Sequence, residues 1–124
     1  MELEQQPRST KVVLFETDGS YQIKQLEPSR QYAEELGGEI RLVPHVKACG
    51  ELCCYVSNGA TQFNKWSAFL EQRGFTMNDE GLSGRVLMCW ADRHGRRRDV
   101  SKAMQFTLQY YYRQNFEKTL GVVI

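Results

Sequence analysis

The chain has 124 residues, enough for one domain and too few for two, and its 41% hydrophobic, 11% aromatic and 25% charged residues are globular composition that excludes a disordered chain. Sixteen Lys and Arg against fifteen Asp and Glu leave a net charge of +1, without the basic excess of a dedicated nucleic-acid binder. No apolar run approaches the roughly 20 residues of a membrane span, and the polar start, with Glu2 and Glu4, lacks the pattern of a signal peptide.

The expectation is therefore a cytoplasmic protein with no membrane partner, in the host cytoplasm if its source is viral. In that reducing setting Cys49, Cys53, Cys54 and Cys89 are expected to be free thiols.

Residues 1–10 read as a flexible tail and 11–124 as a single domain. Lys11 to Glu16 is rich in β-formers, Asp18-Gly19 is a hairpin signal, and Tyr21 and Ile23 alternate with Gln22 and Lys24 as on a strand with one wet face. Pro28-Ser29 opens a short helix with Tyr32, Ala33 and Leu36 on its buried stripe, and Gly37-Gly38 ends it. Glu39 to Val43, closed by Pro44, and Glu51 to Val56 read as a second pair of strands, the latter followed by the turn Ser57-Asn58-Gly59.

Asn64 is placed as the N-cap of a helix carrying Trp66, Phe69 and Leu70, with Gly74 as its stop. Arg85 to Ala91 is nearly all apolar, as a strand buried on both faces would be. A basic turn follows, Asp92 to Arg98. The last helix starts near Asp99 or Ser101 and runs to about Phe116. Val100, Met104, Leu108 and Tyr111 share one of its faces, which Phe106 and Tyr110 broaden. The apolar end, Gly121 to Ile124, calls for a cover, from the domain itself or from a second copy. The order β-β-α-β-β-α-β-α gives an α+β fold, a mixed or mostly antiparallel sheet with helices packed on it.

The run Gly37-Gly38-Glu39-Ile40-Arg41-Leu42-Val43-Pro44 fits a Gly-Gly-x-Ile-x-x-Val-Pro motif, followed by Asn58-Gly59, by Asn64, and by Gly84 leading the apolar strand. In these features the chain, over residues 11 to about 116, resembles a family of small proteins of unknown function borne by phages, plasmids, bacteria and large viruses. It departs in lacking the acidic residue usual beside the first Asn and in the basic character of residues 94–98. The resemblance implies a fold and a mobile-element setting, not a reaction.

Three groups of residues are candidates for function. Arg93, His94, Arg96, Arg97 and Arg98 form the densest charge in the chain, and arginine forks onto phosphate in bidentate fashion, so this turn is a candidate ligand-binding site. It also reads as a solvated hairpin tip balanced by Asp92 and Asp99. Tyr110, Tyr111, Tyr112 and Phe116 are candidate interface residues, because consecutive tyrosines spread over about 200° of a helix and cannot all face one core. His45, Cys49 and Cys53 are weak zinc candidates, with suitable donors but without C-x-x-C spacing; buried cysteines such as Cys54 and Cys89 read equally well as small core hydrophobes.

No catalytic residue is assigned and no cofactor is implied. No Ser or Cys is paired in sequence with His, and Asp79, Glu80, Asp92 and Asp99 carry no acid/base signature. The expected function is that of an uncharacterised accessory protein of a phage, virus or mobile element. It would bind a host protein or a small phosphate-bearing ligand rather than catalyse, as a homo-oligomer. The alternatives are a nucleic-acid-binding module using the turn 93–98 and a small zinc-binding protein.

Overall fold

The computed structural model describes residues 9–28, 30–45, 52–76, 81–92 and 94–117. They build an α+β domain around an antiparallel sheet with strand order β2-β1-β5-β4-β3. The strands are β1 (Thr10–Phe15), β2 (Tyr21–Leu26), β3 (Ile40–Leu42), β4 (Leu52–Ser57), β5 (Val86–Ala91) and β6 (Arg97–Arg98), the last pairing with β5. The helices are α1 (Arg30–Leu36), α2 (Ser67–Gln72) and α3 (Lys102–Tyr112), and a π-helical turn, Arg113–Glu117, extends α3.

Each strand sends alternate side chains to opposite faces, so the sheet has two cores. On one face Val13, Phe15, Cys54, Val56, Val86 and Met88 pack under Phe69 and Leu70 of α2 and Leu108 of α3. On the other, Val12, Leu14, Leu87 and Cys89 pack under Tyr32 and Leu36 of α1. The continuous apolar run of β5 follows from this, since it lies between β1 and β4 with helices on both sides.

One buried carboxamide ties the pieces together. Asn64 Nδ2 donates to the carbonyls of Phe15 (3.0 Å) and Gly84 (2.8 Å), and its Oδ1 accepts from the Trp66 N–H (2.8 Å). Two residues on, the Trp66 indole donates to the carbonyl of Gly19 at 2.8 Å and packs against Phe15, Tyr21, Phe69, Tyr111 and Phe116. Gly19 has φ of 100°, and a Cβ there would stand 3.2 Å from the Phe116 ring. Glycine is therefore required both by the backbone and by the closeness of the final turn. On the α1 side, Arg85 joins Glu16 (2.9 Å) to Glu35 (3.3 Å).

Several elements differ from the sequence reading. β1 begins at Thr10, which is buried rather than part of a tail. Among the described residues the strand pairs are antiparallel, as the expected mixed or mostly antiparallel sheet allows, but β6 adds a strand within the basic turn. Helix α2 starts at Ser67; Asn64 caps the turn before it, its amide being taken up by β1 and the approach to β5. Ser101 caps α3, accepting the Met104 N–H at 3.0 Å. Phe106 and Tyr110 do not broaden the buried stripe: they are 70% and 67% exposed, because the sheet face is already filled by Val100, Leu108, Tyr111 and Tyr112. The apolar end at 121–124 lies outside the described residues.

Asn64→Ala would remove the hydrogen bonds to the Phe15 and Gly84 carbonyls and to the buried Trp66 N–H, each worth roughly 1–3 kcal/mol where its group is left dry. The expected loss is about 3 kcal/mol of unfolding free energy, read from the urea midpoint. A loss below about 1 kcal/mol would show that the carboxamide is not the joint.

Candidate functional site

The basic turn is organised by Asp92. Its Oδ1 accepts the backbone N–H groups of His94 (2.8 Å) and Arg96 (2.9 Å), while its own N–H donates to the Arg96 carbonyl at 2.8 Å. The N–H donors of Arg96 and then His94 hold the Asp92 carboxyl below the usual carboxylate range. The chain then re-enters the sheet, with Arg97 opposite Ala91 and Arg98 opposite Trp90.

Because successive strand residues face opposite ways, Arg97 and Arg98 cannot serve one surface. Arg98 is exposed on the α3 face, beside the half-buried Trp90. There a cleft of about 630 Å³ is lined by Trp90, Asp92, His94, Arg98, Asp99 and Ser101. Asp99 is partly engaged, its Oδ1 accepting the Lys11 N–H at 2.9 Å. Among the described residues the guanidinium groups of Arg96 and Arg98 pair with no carboxylate. Arg93 lies outside the described residues.

Arg97 turns to the α1 face, where it is half-buried and donates to the Tyr55 hydroxyl at 3.2 Å. There Cys53 of β4 stands directly opposite Cys89 of β5. Cys89 is buried, Cys53 is half-exposed, and both are free thiols. The Cys89 S–H, then the Arg97 guanidinium and more remotely His45 favour the Cys53 thiolate and bring its pKa down to about 6. Hydrogen bonding to Cys53 and burial push Cys89 the other way. The buried Tyr32 hydroxyl lies beside Cys89 and the Thr10 hydroxyl without reaching either at good hydrogen-bond geometry, and burial, then the Cys89 thiol, raises its pKa.

The remaining sequence candidates separate. Tyr111, Tyr112 and Phe116 pack against the Trp66 core, and Tyr110 alone of the four is exposed. His45 Nε2 lies 2.9 Å from the Arg73 carbonyl, and its ring packs edge-on to Phe75. Cys49 lies outside the described residues, and among these no group of three His, Cys, Asp or Glu side chains is placed to hold a metal ion. No described helix is long and apolar enough to cross a membrane.

No family model matches the chain, and neither a curated protein nor a solved structure matches it.

Sequence reasoning missed the Cys53–Cys89 pair and the part of Trp90, Asp99 and Ser101 in the cleft. Both depend on which strands are neighbours. The one available signal was Cys53 and Cys89 each lying within a short β-prone run.

The Cys53 environment has a direct readout. With Cys89, Arg97, Tyr55, Tyr32 and His45 around it, iodoacetamide alkylation of Cys53 is expected to reach half its limiting rate near pH 6, read by peptide mass spectrometry. Cys54, fully buried on the opposite face, should stay unmodified while the protein is folded. A Cys53 midpoint above about pH 8, as for a free thiol, would contradict this environment.

Proposed function

We propose that this protein acts by binding rather than by catalysis, as an accessory protein of a phage, virus or other mobile element. Its binding surface is the Trp90–Arg98 cleft, and the ligand is a small molecule that carries a phosphate and a flat ring. The Gly37–Pro44 motif and the segments after it support the mobile-element setting through the family they resemble. One observation carries the site: the ladder sets Arg98 directly opposite Trp90 at a cleft of about 630 Å³. That size suits a small ligand. An indole offers a face for stacking, and an unpaired guanidinium offers a fork for phosphate.

Trp90 reports on its own occupancy, since the only other tryptophan, Trp66, is fully buried. Titration of the full chain with a nucleoside monophosphate should quench tryptophan fluorescence, and Trp90→Phe should abolish the quench. Arg98→Ala should weaken binding about tenfold to a hundredfold, the loss of one charge-assisted contact. The unphosphorylated nucleoside should bind correspondingly less. No quench at millimolar ligand removes this reading. A quench with single-stranded oligonucleotide alone, falling steeply with salt, would replace it by nucleic-acid binding through the basic hairpin.

A second reading, self-association, is favoured by Phe106 and Tyr110, both exposed and four residues apart on one face of α3. Light scattering should then give more than the monomer mass, and Phe106→Glu should return the monomer. A monomer at high concentration ends that reading.

A further inference from the structure

We propose that Cys53 and Cys89 are a peroxide-oxidisable dithiol that closes a cross-strand disulfide between β4 and β5. The site is on the sheet face opposite the Trp90–Arg98 cleft and does not depend on it.

Four observations carry this. Cys53 and Cys89 are register partners in an antiparallel pair. Directly opposed residues in such a pair have Cα atoms about 4.5–5.5 Å apart, within the roughly 4.4–6.8 Å that disulfides span. Their side chains therefore leave the sheet on the same side, whereas Cys54 is buried on the other and cannot compete. Cys53 is half-exposed and lies beyond the stretch of β4, Tyr55–Ser57, that β3 pairs with. Arg97 is half-buried beside the pair with a phenol, not a carboxylate, as its partner, so its charge is available to a thiolate. The buried Tyr32 hydroxyl borders Cys89.

The chemistry balances with hydrogen peroxide as oxidant. The Cys53 thiolate attacks one peroxide oxygen; an S–O bond forms, the O–O bond breaks, and the departing hydroxide takes a proton to become water. The Cys89 thiol then attacks the sulfenic sulfur. The S–S bond forms, the S–O bond breaks, and the hydroxyl leaves with the Cys89 proton as a second water. Two electrons pass from the two thiols to the peroxide. In the return direction an external thiol attacks the accessible Cys53 sulfur, and the departing group is the buried Cys89 thiolate. Arg97 and the Tyr32 hydroxyl are the positioning groups beside that developing charge.

The test treats the reduced full chain with equimolar hydrogen peroxide and maps disulfides by peptide mass spectrometry. Expected are the loss of two hydrogens by intact mass and a single Cys53–Cys89 link. Cys89→Ala should instead trap Cys53 as a dimedone adduct, and Cys53→Ser should give neither. Arg97→Gln should slow closure at pH 7 by roughly tenfold. Tyr32→Phe should leave the urea midpoint of the reduced protein close to that of wild type, since the hydroxyl lost is neutral and poorly partnered, while slowing reduction of the disulfide by dithiothreitol several-fold. If Cys89→Ala fails to fold, wild-type mapping still decides. A chain that stays reduced, a Cys49–Cys53 link, or a link between two chains would overturn the proposal.

Discussion

The fold hangs on the Asn64 carboxamide. With two donors and one acceptor in fixed geometry, it closes the end of β1, the approach to β5 and the turn before α2 at one buried point. The end of β1 and the start of β5 already meet in the ladder, Phe15 opposite Val86, and the carboxamide ties the turn before α2, distant from both in sequence, to that meeting point. Trp66, two residues on, extends the same joint. Its indole binds the β1–β2 turn, and its ring faces form the floor on which Tyr111 and Phe116 rest. The end of α3 is thereby fixed against the first hairpin. Its start is fixed by Ser101 and by the Val100 N–H on the Lys11 carbonyl. With both ends held, the Trp90 side of the β5–β6 hairpin faces the start of α3 across an open cleft.

What could be read in the sequence was local. Gly37-Gly38 ends α1 because both amides turn back to the Ala33 carbonyl, with Gly37 also reaching Glu34, and both residues have positive φ. The apolar run of β5 announced burial on two faces, and Ser101 announced a helix start. What could not be read was register. β6 is two residues long and has no pattern of its own; it exists because Asp92 closes the turn and returns the chain beside Trp90 and Ala91. The exposure of Phe106 and Tyr110 was hidden for a similar reason. A helical stripe gives the direction of an apolar face, not its width, and the width is set by how much sheet remains to be covered.

The candidate site shows the same division. Four arginines within six residues look like one positive patch when strung along a sequence. A strand forbids it. Arg98 joins Trp90 in the light of solvent, and Arg97 passes to the other face, to Tyr55 and the two thiols. Charge density along the chain therefore overstated the patch and concealed a second, smaller electrostatic site. The thiols were concealed by the same step: Cys53 and Cys89 are 36 positions apart in sequence and opposite one another in the ladder.

The two faces of the sheet also differ in how their polar groups are treated. On the α2 and α3 side each buried polar side chain among the described residues is satisfied. Asn64 makes its three bonds, the Ser67 hydroxyl donates to the Asn64 carbonyl and accepts from the Leu82 N–H, and the Trp66 indole has Gly19. On the α1 side the buried hydroxyls of Thr10 and Tyr32 have only each other and the Cys89 thiol beside them, none at good hydrogen-bond geometry. Buried hydroxyls are seldom left with such weak partners, because each forgoes its hydrogen bond to water for little in return. Both belong to the face that also holds a half-buried guanidinium and two opposed thiols. A face built only for packing would have Val and Phe at those positions at no cost in shape. The weakly partnered hydroxyls, the cation and the thiols therefore share the face on which the proposed dithiol lies, while the satisfied network around Asn64 braces the face that bears the Trp90–Arg98 cleft.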